Sequence, residues 1–131
     1  MPKVGQVALP LRRSAASHGP TDQMSTLGRV RVLDVFAGAG GLSVGLEAAG
    51  FDVAAGAEWD SDACETFAKA HPTAEVFEGD VSAMSFAHLR GDVKVLAGGP
   101  PCQPWSTGGK RLGSADPRDG WPAYLRVLEE V

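Results

Sequence analysis

Three features of the sequence predict an α/β fold with a parallel, doubly wound sheet of about four strands. From Arg29 onwards, short apolar runs of strand length alternate with segments of helical periodicity. A glycine-rich turn follows the first apolar run, and a Pro-Pro-Cys-Gln sequence follows the last. This alternation favours parallel strands whose carboxyl ends carry the ligand-binding loops.

Apolar spacing and turn residues set the boundaries of each element. We predict strands over residues 30–36, 52–58, 75–77 and 92–97. We predict helices over residues 42–49, 60–71 and 121–131, with a short helical stretch over 82–89. Leu42 and Leu46 are expected to share the apolar face of the first helix, and Asp60 or Ser61 is expected to cap the second.

Residues 1–28 are rich in Ser, Gly, Pro and Ala without periodicity, which predicts a disordered leader before a folded domain at 29–131. Met24 offers an alternative translation start, and Arg12 with Arg13 leaves a targeting segment as a second interpretation. The composition, 44% hydrophobic without an apolar run long enough to span a membrane, predicts a cytoplasmic protein with no membrane partner.

Cysteine content and charge exclude two kinds of protein. Cys64 and Cys102 form no Cys-x-x-Cys pair, so a disulfide framework and a four-thiolate zinc site are excluded, and we predict no metal site. Residues 29–131 hold 9 basic against 15 acidic residues, whereas a self-sufficient DNA-binding domain has a basic face. The chain therefore has little electrostatic attraction of its own to phosphate groups.

The segment Asp34-Val-Phe-Ala-Gly-Ala-Gly-Gly-Leu42 lies between a predicted strand and a predicted helix. Glycines let the backbone approach a ligand closely, and a helix N-terminus offers free N–H groups to a carboxylate or phosphate. Glu58 follows Gly38 by 20 residues, at the end of the second strand, where a carboxylate can accept both ribose hydroxyls. Ser43 breaks the dinucleotide fingerprint begun by Gly38 and Gly40, so a tight turn without a ligand stays open.

Three further side chains lie at adjacent strand ends. Phe36 and Trp59 could sandwich an adenine ring, and Asp80 could accept a hydrogen bond from its exocyclic amine. Each has a structural alternative, since Phe36 could belong to the core, Trp59 could cover the surface and Asp80 could cap a helix. Their joint placement favours a nucleotide-type cofactor.

The loop after the fourth predicted strand presents a candidate nucleophile. Pro100 and Pro101 stiffen the segment that carries Cys102 at the carboxyl edge of the sheet. Cys64 lies within a helix close to Phe67 and is expected to be a buried filler. We therefore predict that Cys102 is the reactive thiol.

These motifs resemble those of the DNA cytosine-5 methyltransferase family over residues 30–131. The matching sequences are Phe-Ala-Gly-Ala-Gly-Gly at 36–41, Glu58-Trp-Asp60, Gly79-Asp80-Val81, Pro-Pro-Cys-Gln at 100–103 and Asp116-Pro-Arg118. The resemblance implies a Rossmann-like methyltransferase fold and methyl transfer from S-adenosyl-L-methionine to carbon 5 of cytosine. It also implies double-stranded DNA as the partner, with the target cytosine flipped out of the stack.

The resemblance further assigns roles to individual residues, with Cys102 as the catalytic nucleophile. Cofactor contacts fall to Phe36, Ala37, Gly38, Gly40, Gly41, Leu42, Glu58, Trp59, Asp80, Val81 and Pro101. Glycines at 108, 109 and 113 suit a basic lid that closes on nucleic acid, with an ordinary solvated loop as the alternative. The candidate lid and nucleic-acid contacts are Gln103, Ser106, Lys110, Arg111 and Arg118.

A cysteine suits this chemistry because carbon 5 of cytosine is too weak a nucleophile to accept a methyl group directly. Thiolate addition at carbon 6 makes the ring enamine-like, and later loss of the carbon 5 proton expels the thiolate. Covalent catalysis thereby divides one difficult step into easier ones.

Several family blocks have no match in this sequence: the Glu-Asn-Val block whose glutamate assists at ring nitrogen 3, the Gln-x-Arg-x-Arg block, the target-recognition region and the last cofactor-contacting helix. Trp121 also stands where leucine is usual. We therefore expect the chain to be inactive alone, as a truncated product, as a subunit completed by a second polypeptide, or as a retained cofactor-binding module.

Other functions remain open at the level of sequence. Pro-Pro-Cys-Gln-Pro does not exclude a cytosine-5 methyltransferase that acts on transfer RNA. A nicotinamide-dependent dehydrogenase shares the glycine turn and Glu58 but has no use for the cysteine loop. A non-catalytic S-adenosylmethionine-binding module would not need Cys102, and a role in restriction or in regulation stays undecided.

Overall fold

The computed structural model describes residues 28–108 and 111–131, so the predicted leader, Met24 included, lies outside the described residues apart from Gly28. The strands are β1 Arg31–Val35, β2 Asp52–Glu58, β3 Glu75–Glu78 and β4 Val95–Gly98. The helices are α1 Gly41–Ala48, α2 Ser61–Ala70 and α3 Trp121–Glu130. Short 3₁₀ turns span Val81–Ala83, Ala87–Leu89 and Gly113–Ala115. None of the helices in these described ranges is long and apolar enough to cross a bilayer.

The four strands form one parallel sheet, as predicted, and their order in it is β3-β2-β1-β4. Asp34 in β1 pairs with Gly56 of β2 on one side and with Ala97 of β4 on the other. The chain runs from β1 to β2 to β3 in one direction and then crosses to the far side of β1 for β4. The loops after β1 and β4 therefore diverge at a topological switch point, where doubly wound sheets bind their ligands.

Strand side chains alternate between two faces, and each face has its own apolar cluster. On one face, Leu33 and Val35 belong to a cluster with Val127 of α3, which is fully buried. On the other face, Val76 packs in a cluster with Phe67 of α2. The sheet is thus covered by α3 on one side and by α2 on the other.

The inward face of α1 differs from the prediction. Ser43 is the buried residue of this helix, and its hydroxyl donates a 2.7 Å hydrogen bond to Asp34 Oδ2. Leu42 is 51% exposed, whereas Leu46 packs partly buried against the core, so the apolar face predicted for this helix is only partly covered. A buried hydroxyl must be hydrogen-bonded, and this requirement outweighs the apolar periodicity of a short glycine-rich helix.

Element ends agree with the prediction in one case and shift in two. Asp60 Oδ1 accepts a 2.8 Å hydrogen bond from Ala63 N, which confirms Asp60 as the cap of α2. The predicted helical stretch over 82–89 consists of two separate 3₁₀ turns. Val93 N donates to the Leu89 carbonyl at 3.1 Å and closes a turn, so β4 starts at Val95 and not at residue 92.

Two arginines fasten α3 to the segment between β3 and β4. Arg90 donates to the carbonyls of Glu129 and Glu130, each at 2.8 Å. Arg126 donates to the Val81 carbonyl, also at 2.8 Å. Arg90 thereby supplies partners for carbonyls that a helix C-terminus leaves free, and α3 is fixed relative to the sheet.

Gly56 lies beneath the Phe67 ring, where a Cβ would stand 2.3 Å from Phe67 Cζ. We expect Gly56→Ala to lower the free energy of unfolding by about 1–3 kcal/mol, because the added methyl group displaces the ring. Gly45→Ala is the matched control: a Cβ there meets nothing within 4 Å, and alanine favours a helix over glycine by about 0.5–1 kcal/mol. Urea unfolding followed by circular dichroism measures both variants, and equal effects would contradict the packing described.

Candidate active site

The loops after β1 and β4 meet the start of α3 at the carboxyl edge of the sheet. They pack closely at Gly120, where an added Cβ would stand 2.8 Å from Pro101 Cδ and 3.0 Å from Phe36 Cζ. The same Cβ would lie 3.1 Å from Pro100 Cβ. Because only glycine fits there without moving a neighbour, this contact fixes the cysteine loop against the turn after β1.

The turn after β1 folds back towards β2. Ala37 N donates to the Ala57 carbonyl at 3.0 Å, and Gly40 N donates to the Ala37 carbonyl at 3.1 Å. Phe36 has a φ of 55°, which is uncommon for a residue with a side chain, and its ring packs half-buried against the core. The core contact foreseen as an alternative for Phe36 is therefore present.

Glu58, at the end of β2, is oriented by two backbone donors. Gly38 N donates to Glu58 Oε2 at 2.8 Å, and Asp60 N donates to Glu58 Oε1 at 3.0 Å. An ionised carboxylate offers about four acceptor positions, so both oxygens keep capacity for a further donor. Glu58 thus lies at the end of the second strand, as predicted, and its carboxylate contacts the glycine turn.

A second carboxylate lies beneath the turn. Asp34 is fully buried, and its Oδ1 has no hydrogen-bond partner among the described residues. Burial raises the pKa of Asp34, while the hydrogen bond from Ser43 and the nearby His71 oppose that shift. The Asp34–Ser43 bond ties the start of α1 to the end of β1.

The other predicted cofactor residues follow the strand ends as expected. Trp59 is 70% exposed and lies on the surface. Asp80 Oδ1 accepts a 2.9 Å hydrogen bond from the backbone N–H two residues on, which is the capping role foreseen as its alternative. Val81 is buried, whereas Gly38 and Gly41 have open space where a Cβ would point.

Cys102 is exposed on a loop that is held by its own backbone. The Cys102 carbonyl accepts hydrogen bonds from Trp105 N at 3.0 Å and from Ser106 N at 2.8 Å. Pro104, which precedes Trp105 in this loop, is fully buried. The loop is therefore fixed while the thiol stays accessible.

Cys64 has the opposite environment, as predicted. It is 2% exposed, and its thiol donates to the Glu58 carbonyl at 3.3 Å. Burial raises the pKa of the Cys64 thiol to about 11, and the carboxylates of Glu78, Glu58 and Asp60 add to this shift. Cys64 is thus a structural thiol.

The predicted lid follows Cys102 along the chain. Gly113 N donates a 2.9 Å hydrogen bond to the Pro104 carbonyl, so these two residues lie close together. Lys110 lies outside the described residues. Of the others, Gln103 and Arg111 are exposed and Ser106 is half-buried.

Arg118 is held by a buried carboxylate whose role the sequence analysis missed. Arg118 Nε donates to Asp116 Oδ1 at 2.9 Å, and Arg118 Nη2 donates to Asp116 Oδ2 at 2.7 Å. These hydrogen bonds raise the pKa of Arg118, whose side chain remains 53% exposed while that of Asp116 is 1% exposed. The pair presents a fixed cation at the surface, and the Asp-Pro-Arg spacing was the available signal.

A family model and several curated proteins match this chain in sequence. The family model for C-5 cytosine-specific DNA methylase matches residues 30–131. The Type II methyltransferase M.Eco47II of Escherichia coli is 52% identical over 101 residues, which are 76% of this chain and 24% of that protein. The Type II methyltransferase M.NgoMIV of Neisseria gonorrhoeae is 43% identical over 99 residues, which are 76% of this chain and 31% of that protein.

A solved structure shares the fold. It is described as a DNA modification methyltransferase encoded within a prophage of Escherichia coli, and it is 31% identical to this chain with a TM-score of 0.61. The match covers 77% of this chain and 29% of that one.

Fold and site together define a Rossmann-like α/β protein with a glycine turn, a fixed carboxylate and an exposed cysteine at its switch point. The chain belongs to the C-5 cytosine-specific DNA methylase family. It spans 24% and 31% of the length of the two curated relatives described above. The nicotinamide-dependent dehydrogenase that the glycine turn left open has no support.

The two thiols should differ sharply in reactivity. We expect iodoacetamide at pH 8 to alkylate Cys102 in the folded chain and to spare Cys64, which is buried and, with a pKa of about 11, only about one part in a thousand thiolate at that pH. Peptide mapping by mass spectrometry measures each site. The control is the same reaction in 8 M urea, where both thiols should react, and comparable rates in the folded chain would contradict the structure.

Proposed function

We propose that this chain binds S-adenosylmethionine and supplies the cysteine nucleophile for methyl transfer to carbon 5 of cytosine in DNA. The proposal rests on the juxtaposition at the switch point, where the fixed Glu58 carboxylate follows β2 and the exposed Cys102 follows β4. The glycine turn after β1 lies between them, because β1 lies between β2 and β4. Membership of the methylase family supports the reaction class.

The residues present fit an adenosyl cofactor. Both oxygens of Glu58 keep acceptor capacity for ribose hydroxyls, and the space beside Gly38 and Gly41 is open to a ligand. The exposed Trp59 ring offers a stacking surface for adenine. When bound, the cofactor would supply an electrophilic methyl group on a sulfonium.

Cys102 would act on a cytosine that has been flipped out of the DNA stack. Its thiolate forms a bond to carbon 6, and the electron pair of the 5,6 double bond moves to carbon 5, which becomes reactive towards alkylation. Loss of the carbon 5 proton afterwards restores the double bond and breaks the bond between carbon 6 and sulfur. The accessible thiol on a fixed loop supports this role.

On the DNA side, the proposed contacts are the guanidinium groups of Arg111 and Arg118 and the side chains of Gln103 and Ser106. Arg118 is preoriented by Asp116, so little side-chain entropy is lost when it meets a phosphate. The related proteins are named Type II methyltransferases, and the family model describes a DNA methylase, which favours DNA over transfer RNA.

We also propose that catalysis needs residues supplied by a second polypeptide or by further sequence. The chain holds no Glu-Asn-Val tripeptide and spans at most about a third of the two relatives described above. Its acidic balance gives DNA little non-specific attraction. The complementing sequence would carry the ring-protonating glutamate and the base-reading region.

The role of Glu58 can be measured by cofactor binding. We expect the chain to bind S-adenosylmethionine weakly in calorimetry, and Glu58→Gln to weaken binding by about 10- to 100-fold, because charge-assisted hydrogen bonds to the ribose are lost. Glu75→Gln is the matched control, since Glu75 is an exposed residue at the opposite end of β3. No heat at millimolar ligand with folded wild-type chain would refute the proposed cofactor site.

The nucleophile can be identified by covalent trapping. We expect the chain, complemented by the part of M.Eco47II that it does not match, to form an adduct with 5-fluorocytosine DNA in the presence of S-adenosylmethionine. Mass spectrometry should place that adduct on Cys102 alone, because fluorine at carbon 5 cannot leave as a cation and the thiolate stays bound.

Two variants control the trapping experiment. Cys102→Ser should abolish the adduct, whereas Cys64→Ser should retain it. The uncomplemented chain should form none. Methylation that survives Cys102→Ser in the complemented enzyme would sink the proposed mechanism.

A further inference from the structure

A buried histidine lies directly behind the glycine turn, outside the site described above. His71 follows α2 and is 1% exposed. Its Nε2 lies 3.2 Å from the Gly40 carbonyl oxygen, and its Nδ1 lies 3.0 Å from Glu47 Oε2. Gly40 precedes α1 and Glu47 lies in its last turn, so one side chain of the α2 region contacts both ends of α1.

The rings of His71 and Phe67 pack closely against Gly40. A Cβ on Gly40 would stand 2.9 Å from His71 Nε2 and 2.9 Å from Phe67 Cδ2. The Phe67 and His71 rings are themselves 4.6 Å apart between centroids. Together these two rings form a platform on which Gly40 rests in its left-handed conformation, with a φ of 95°.

The chemistry of the contact fixes which group donates. A carbonyl oxygen only accepts, so the hydrogen of this bond belongs to His71 Nε2. The Gly40 carbonyl already accepts the first hydrogen bond of α1, from Val44 N at 2.9 Å. The carbonyl therefore does not need His71 in order to be satisfied, and the second bond serves to orient the peptide.

His71 is a buried polar side chain beside the ring of Phe67. Both ring nitrogens of the buried His71 face oxygen atoms: Nε2 faces the Gly40 carbonyl and Nδ1 faces the Glu47 carboxylate. Burying an imidazole removes it from water and costs free energy, which leucine or phenylalanine at position 71 would avoid. That cost is explained if the histidine sets the geometry of the turn.

We propose that His71 is a positioning residue for cofactor binding, which rests on the proposed S-adenosylmethionine site. Donation from His71 Nε2 holds the Gly40 peptide in one orientation. The contact between His71 Nδ1 and Glu47 Oε2 holds the last turn of α1. These two contacts would set the position of Gly38, whose N–H orients Glu58. They would also set the position of the free N–H groups at the start of α1.

Two substitutions separate positioning from packing. His71→Gln retains an amide donor at about the place of Nε2, whereas His71→Leu keeps a similar volume without a donor. We expect His71→Leu to weaken binding of S-adenosylhomocysteine, measured by calorimetry, by about tenfold and His71→Gln to stay within about threefold of wild type. Val76→Ala, on the same sheet face, controls for a general loss of stability.

A second measurement reads the contact without any ligand. In the free chain, nitrogen-15 correlation of the imidazole should show a proton on His71 Nε2. The Val44 amide should exchange with deuterium faster in His71→Leu than in Val76→Ala at matched stability. A ring protonated at Nδ1 alone, or equal exchange in both variants, would overturn the inference.

The failures of the two proposals are distinguishable. Absence of binding in the folded wild-type chain refutes the cofactor site, and the imidazole and exchange measurements then still decide whether His71 sets the turn. Binding in the wild-type chain that His71→Leu leaves unchanged, or weakens no more than Val76→Ala does, refutes the positioning role alone.

Discussion

The position of β1 between two parallel partners is the constraint on which the rest of this structure depends. Because β2 and β4 lie on opposite sides of β1, the chain passes from β1 to β2 and β3 on one side and then crosses to β4 on the other side. Because the three strands are parallel, the loops that follow them open at the same edge of the sheet. The glycine turn, the Glu58 carboxylate and the Cys102 thiol share that edge because of strand order, although up to 64 residues separate them in sequence.

Much of the architecture was predictable because it depends on local patterns. Strand positions follow from apolar runs, the start of α2 follows from the Asp60 cap, and the accessible Cys102 follows from the prolines beside it. The burial of Cys64 follows from its helical spacing with Phe67. In each case the determining interaction joins residues a few positions apart.

The sequence-based prediction fails or is silent where contacts with residues further away along the chain determine the position of a side chain. Leu42 turns outward because Ser43 bonds a carboxylate in β1, nine positions away. His71 contacts Gly40 across 31 positions, and nothing in the local sequence distinguishes it from an ordinary residue at the end of a helix. Acidic and basic side chains also lie in different parts of the site. Carboxylates surround the end of β2, while Arg111 and Arg118, which Asp116 orients, follow the cysteine loop.

The close contact at Gly120 limits how this site can evolve. Every possible substitution there adds a Cβ, and that atom has no room between Phe36 and Pro101. Any other residue at position 120 therefore displaces the cysteine loop, the Phe36 ring or α3 itself. A larger residue at position 120 would fit only together with a smaller residue at position 36 or 101.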